Sequence, residues 1–136
     1  MSDVLKDVVE LLNGDGDSLT GFEGDADEAV AMAIRRPSWK PYCIVKEWTL
    51  IEIQVTEEFR ESLASDGLQP VVLYASTVLS HSFNKRLAGD WVRSTYQRAF
   101  TEGVVFETRN TIYILMGKGL RKKASIQTVM AIVELY

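Results

Sequence analysis

One cysteine and one histidine in 136 residues leave little room for metal or nucleophile chemistry. Cys43 alone cannot form an internal disulfide. With His81 it still falls short of the three or four Cys or His ligands that a zinc site uses. A Cys43–His81 dyad would need neighbouring strands that present both side chains on one exposed face. No apolar run approaches the ~20 residues needed to cross a bilayer. The first ten residues, MSDVLKDVVE, mix charges and lack the apolar centre of a signal peptide. These absences predict a cytoplasmic protein with no membrane segment, no metal and no cofactor.

What is present describes one folded domain. The chain is 46% hydrophobic and 25% charged, and this length supports a single core. The net charge of −4 hides an asymmetry. Residues 1–30 hold nine acids against one base, and residues 85–123 hold nine bases against three acids. A basic half of this kind meets an acidic partner, nucleic acid or the chain's own acidic N-terminus.

The stretch NGDGDSLTGFEGDADEA (13–29) alternates acids with glycine, as calcium loops do. Read from Asn13, Asp15 and Asp17 fit ligand positions, but Ser18 and Gly24 stand where a glycine and a closing glutamate belong. The frame from Asp15 fails at Thr20 and Ala26. The later acids have another use. Asp25 and Glu28 form a capping box before AVAMAIRR, with Ala29, Val30, Ala33 and Ile34 as the apolar stripe. GDGDSLTG is then a solvated connector after a first amphipathic helix, which starts at Ser2 or Asp3 and ends at Gly14.

Residues 42–55 are rich in β-branched and aromatic side chains and read as a strand. Their apolar phase changes near Glu47, which predicts a bulge or burial on both faces. A short helix over 56–67 is capped by Thr56 and stopped by Gly67. Strands follow at 71–83 and 91–100, with a polar turn at 84–90 between them. GVVFETRNTIYILMG (103–117) reads as a hairpin turning at Arg109-Asn110, where asparagine tolerates positive φ. The run Ile112–Met116 suggests a central strand. GKGLRKKAS reads as an exposed basic loop, and Ser125 caps a last helix carrying Ile126, Val129, Met130 and Val133. The expected architecture is a single α+β domain. It has an antiparallel sheet of about five strands, with the N- and C-terminal helices packed on one face. Residues 1–24 form an acidic helix and linker, and 25–136 form the core.

Two sets of residues are candidates for binding. Lys118, Arg121, Lys122 and Lys123 form either a phosphate-contacting cluster or a solvated loop. Gly117 and Gly119 beside Lys118 lack the spacing and the Ser or Thr of a phosphate loop. Asp90, Arg93, Glu107 and Arg109 make a polar cluster if the fold brings them together, and otherwise satisfy one another at the sheet's end. A carboxylate-only magnesium site stays open, although no helix sets acids on an apolar cleft.

KPYCIVKEW and GDWVRSTYQRAFTEGVVFETRNTIYILMGKGLRKKAS resemble the signature of a small bacterial domain family of unknown function. The resemblance covers most of residues 25–130 and is weakest over the acidic N-terminus. It implies a bacterial, prophage-associated, single-domain protein and brings no catalytic assignment. The expectation for function is a non-enzymatic module that binds a protein partner. The alternatives are nucleic-acid binding through 118–123, and a small-molecule or enzyme site around Asp90, Arg93, Glu107 and Arg109.

Overall fold

A computed structural model of the chain describes residues 3–36, 38–82 and 87–135. Ser2 and residues 83–86, parts of an expected helix start, strand and turn, lie outside them. The elements are α1 (Asp3–Asn13), β1 (Asp17–Thr20), α2 (Ala26–Arg35), β2 (Tyr42–Gln54), α3 (Glu57–Ser65), β3 (Val71–His81), β4 (Val92–Arg93), β5 (Ala99–Thr101), β6 (Val105–Glu107), β7 (Ile112–Ser125) and α4 (Ile126–Leu135). The domain is α+β, as expected. Its sheet has seven strands rather than about five, in the order β4-β3-β2-β7-β6-β5, with β1 on β7. The sheet is also mixed. β2 and β7 run parallel from Tyr42 opposite Ile112 to Gln54 opposite Ser125. The other strand pairs are antiparallel.

The helix signals act as the residues dictate. Asp25 Oδ1 accepts from Glu28 N at 2.8 Å, and Glu28 returns a bond to Asp25 N, closing the capping box of α2. Thr56 Oγ1 caps α3 through Phe59 N, and Ser125 Oγ caps α4 through Thr128 N. The apolar stripe of α2 is narrower than expected. Ala29 and Ala33 are buried against Ile44, Ile112 and Ile114, but Ile34 is 67% exposed. Two alanines let the helix sit close to the sheet, and Met32 rather than Ile34 packs at its side.

The phase change in β2 is a bulge. Glu47 adopts φ 54, and pairing with β7 shifts between Lys46 and Trp48. Cys43 and Val45 before it share one cluster with Trp48 and Leu50 after it. Ile44, Ile51 and Ile53 therefore point the other way, into the clusters that α2, α1 and α4 cover. The remaining face, carrying Leu73, Val78, Val92, Phe106 and Leu115, has no helix residue in its cluster among the described residues. Residues 92–101 join the two edges of the sheet beside it, running along β3 and then onto β6. Ser94 N donates to Leu73 O and Gln97 N to Val71 O, while Arg98 N reaches Glu107 O on the far side of the sheet. That crossing replaces the single strand expected at 91–100.

Two further expectations change. GDGDSLTG is not only a connector, because Asp17–Thr20 pair with Arg121–Lys118 and Leu19 packs on the uncovered core. GKGLRKKAS is not a loop, because it is the second half of β7. The hairpin at 108–111 is present, but its turn does not use a left-handed Asn110. Buried Thr108 holds it, with Oγ1 accepting from Asn110 N and Thr111 N. The left-handed pair sits earlier, at Glu102 (φ 56) and Gly103 (φ 69), in the turn between β5 and β6.

Gly119 shows why glycine breaks up the β7 sequence. A Cβ there would lie 2.3 Å from the Trp48 ring. Trp48 is 2% exposed, and its indole N–H donates to the carbonyls of Met116 and Gly117. Gly119→Ala should therefore cost about 1–3 kcal/mol, the usual range for overpacking. Urea unfolding should show the loss, and unchanged stability would mean that the indole is free to move aside.

Candidate binding surfaces

The four charges that would make one cluster if the fold brought them together each have a separate neighbour. Asp90 accepts from Leu87 N in the turn before β4. Arg93, on β4, reaches Met130 Sδ of α4 at 3.7 Å. Arg109 faces Asp66 at the end of α3, a 3.6 Å contact between half-exposed side chains. Glu107, on β6, pairs with Lys40, whose amine also donates to Thr108 O. Three strands lie between β4 and β6 in the sheet, so sequence proximity of GDWVR and ETRNT did not translate into a common site.

The Lys40–Glu107 contact has a consequence for its neighbour. It pins the chain between α2 and β2 onto the sheet. Trp39 stands beside this anchor and is 78% exposed. Ile34 lies five residues earlier, and Arg35 is exposed between them. Isolated apolar side chains on a surface are ordinary, but an exposed tryptophan on an anchored segment is a candidate contact residue. The sequence held one signal for it, a tryptophan between two prolines.

The basic residues of β7 also separate, because side chains alternate across a strand. Arg121 pairs with Glu52 at 2.7 Å on the strand β2. Lys118 is exposed at the level of the bulge, opposite Thr20. Lys123 is exposed next to Arg121 on the same face. Lys122 points the other way and is 8% exposed. Its amine donates to Leu11 O at the C-terminal end of α1. A cation there is favourable, because the last carbonyls of a helix carry partial negative charge. The acidic N-terminus thus folds back on the basic segment, with Asp15 close enough to raise the Lys122 pKa against the larger lowering by burial.

Two clefts flank the Arg121–Glu52 pair. One, of about 610 Å³, is lined by Asp7, Glu10, Asp15 and Asp17 together with Lys122. The other, of about 560 Å³, lies between α3 and the ends of β2 and β7 and includes Arg60, Lys123 and Gln97. Neither reproduces a catalytic constellation. Cys43 and His81 are cross-strand partners, so the first condition for a dyad is met, but the thiol is completely buried. Among the described residues no three His, Cys, Asp or Glu side chains group to hold a metal ion. No described helix is long and apolar enough to cross a membrane.

Lys122 also makes stability pH-dependent in a definite direction. Burial holds its pKa below the ordinary 10.5. Between the folded value and 10.5 the unfolded chain binds more protons than the folded one, so this group adds stability as pH rises through that window. Below the window both states are protonated and the desolvation cost is present in full. Urea midpoints measured at rising alkaline pH should therefore climb for the native chain relative to Lys122→Met. Parallel profiles would place the amine in water.

No curated protein and no solved structure matches the chain. A family model described as a domain of unknown function, DUF6957, matches residues 20–131. That span takes in β1's last residue, the whole sheet beyond it and most of α4, and the chain belongs to that family of uncharacterised domains.

Proposed function

We propose that the chain is a non-enzymatic interaction module whose partner is a protein, docked on the outer surface of α2 and the segment that follows it. The observation that carries this reading is the exposure of Trp39 beside the Lys40–Glu107 anchor. Tryptophan buries a large area with few torsions to freeze, and an anchored backbone removes part of the ordering cost of binding. Ile34 adds apolar area, and Arg35 and Arg36 set a basic rim. The partner then offers an apolar pocket bordered by acids. The reading keeps the bacterial, prophage-associated origin that the sequence signature implies and the cytoplasmic setting that the composition suggests.

Nucleic-acid binding has less in its favour. Lys122 is committed to α1 and Arg121 to Glu52, and Asp15 and Asp17 lie beside them. Of the four cations in this segment only Lys118 and Lys123 remain for phosphates.

The test is co-purification with the tagged chain from its own organism. A stoichiometric protein should be retained by the native chain and lost with Trp39→Ala. A tryptophan hot spot is worth about 2–4 kcal/mol, or roughly 30- to 1000-fold in affinity. The thermal midpoint of Trp39→Ala should stay at the native value. Equal retention by the two proteins, or no retained protein, would reject the docking surface.

A further inference from the structure

The cleft beside α3 carries a group whose bonding is incomplete. Gln97 is 8% exposed, and its side-chain Oε1 is buried with no hydrogen-bond partner. Its backbone cannot shift to find one, because its N–H is bonded to Val71 O and its carbonyl to Gln69 N. Gln97 Nε2 donates to Gln69 Oε1, which leaves Oε1 as the side-chain atom without a partner. Buried acceptors are normally satisfied, so one left over beside a cavity points to a donor supplied from outside.

The charges around the same cavity are unbalanced. Arg60, Arg121 and Lys123 line it against the single carboxylate Glu52. Arg121 uses that carboxylate, at 2.7 Å. Arg60 has only a 3.9 Å contact with Glu57 one turn away on the exposed face of α3. Lys123 makes no ion pair among the described residues. Ile53, Leu68, Pro70 and Val71 supply the apolar part of its lining. A cavity of about 560 Å³ is of the size that holds a small organic molecule.

We infer that this cleft binds a small organic acid with an apolar body and an N–H or O–H donor. Its anionic group lies between Arg60 and Lys123, its body rests on Pro70 and Leu68, and its donor reaches Gln97 Oε1. Gln69, exposed and bonded to Gln97 only through the side-chain amide and the backbone, gives way at the side chain. The site is separate from the Trp39 surface and does not depend on it.

Amide-resolved NMR titration of the full chain tests this with three probes. They are 4-hydroxyphenylacetate, phenylacetate, which lacks the donor, and tyramine, which reverses the charge. The hydroxylated acid should shift the resonances of Arg60, Gln69, Gln97 and Lys123 and saturate. Phenylacetate should bind several-fold more weakly, and tyramine should leave the cleft unchanged. Lys123→Gln should weaken the hydroxylated acid about tenfold, with Lys123→Arg restoring it. Gln97→Leu should make the two acids equal. The inference is overturned if neither acid saturates below ~10 mM, too weak for a specific site. It is equally overturned if tyramine binds as well as the acids, or if Lys123→Gln changes nothing. Lys123 is exposed, so its variants remain decisive even if Gln97→Leu does not fold.

Discussion

The parallel contact between β2 and β7 is the constraint from which the rest of the domain follows. Parallel neighbours cannot be joined by a tight turn, so everything from 55 to 111 is a crossover that leaves the end of β2 and returns to the start of β7. That crossover supplies α3, β3 and the span 92–101, which joins the β3 edge of the sheet to its β6 edge. Midway along the pair both strands leave regular geometry, β2 at Glu47 and β7 at Gly117, each with positive φ. The break turns the carbonyls of Met116 and Gly117 toward Trp48, and Gly117 O also accepts from Gly21 N. Trp48 meets both with its indole N–H and fills the space above Gly119 with its ring. One side chain thus satisfies the polar groups and fills the volume that the bulge creates.

Beyond the bulge, strand alternation decides what the positive charges can do. A loop would let Lys118, Arg121, Lys122 and Lys123 gather round one ligand. A strand sends Arg121 and Lys123 to one face and Lys122 to the other. The last turn of α1 carries no basic residue of its own. Lys122 provides the missing charge from across the sheet, at the cost of desolvating its amine. The acidic N-terminus and the basic segment are therefore one electrostatic unit, and the net charges of the two halves partly cancel within the fold.

Local signals were legible in the sequence and non-local ones were not. Asp25 with Glu28, Thr56 and Ser125 name their helices, because caps act within three residues. The bulge at Glu47 is visible because burial on alternate faces leaves a change of phase. The second half of β7 is hidden for a physical reason. At the level where an apolar side chain would mark the strand stands Gly119, since the Trp48 ring occupies that place. The flanking cations complete the appearance of a loop. Parallel pairing leaves no mark on either strand, so the mixed sheet was beyond reach, as was the three-strand separation of Arg93 from Glu107. The binding surfaces were equally obscure. Trp39 is conspicuous in the sequence, but its exposure depends on Lys40 finding Glu107, 67 positions away.

The family match begins at residue 20, after α1, yet the packing makes α1 part of the domain. Val8 and Leu11 are buried with Val129 and Ile132 of α4 and with Ile51 and Ile53 of the sheet. Leu11 also offers the carbonyl that receives Lys122. Take α1 away, and an apolar face of α4 is opened to water while a lysine aimed into that face loses its acceptor. The chain that returns from α1 to the sheet, Asp15 to Asp17, closes over the same lysine before β1 begins. A residue inside the family span is thus completed by a helix outside it, and the boundary of the matched sequence is not the boundary of the folding unit.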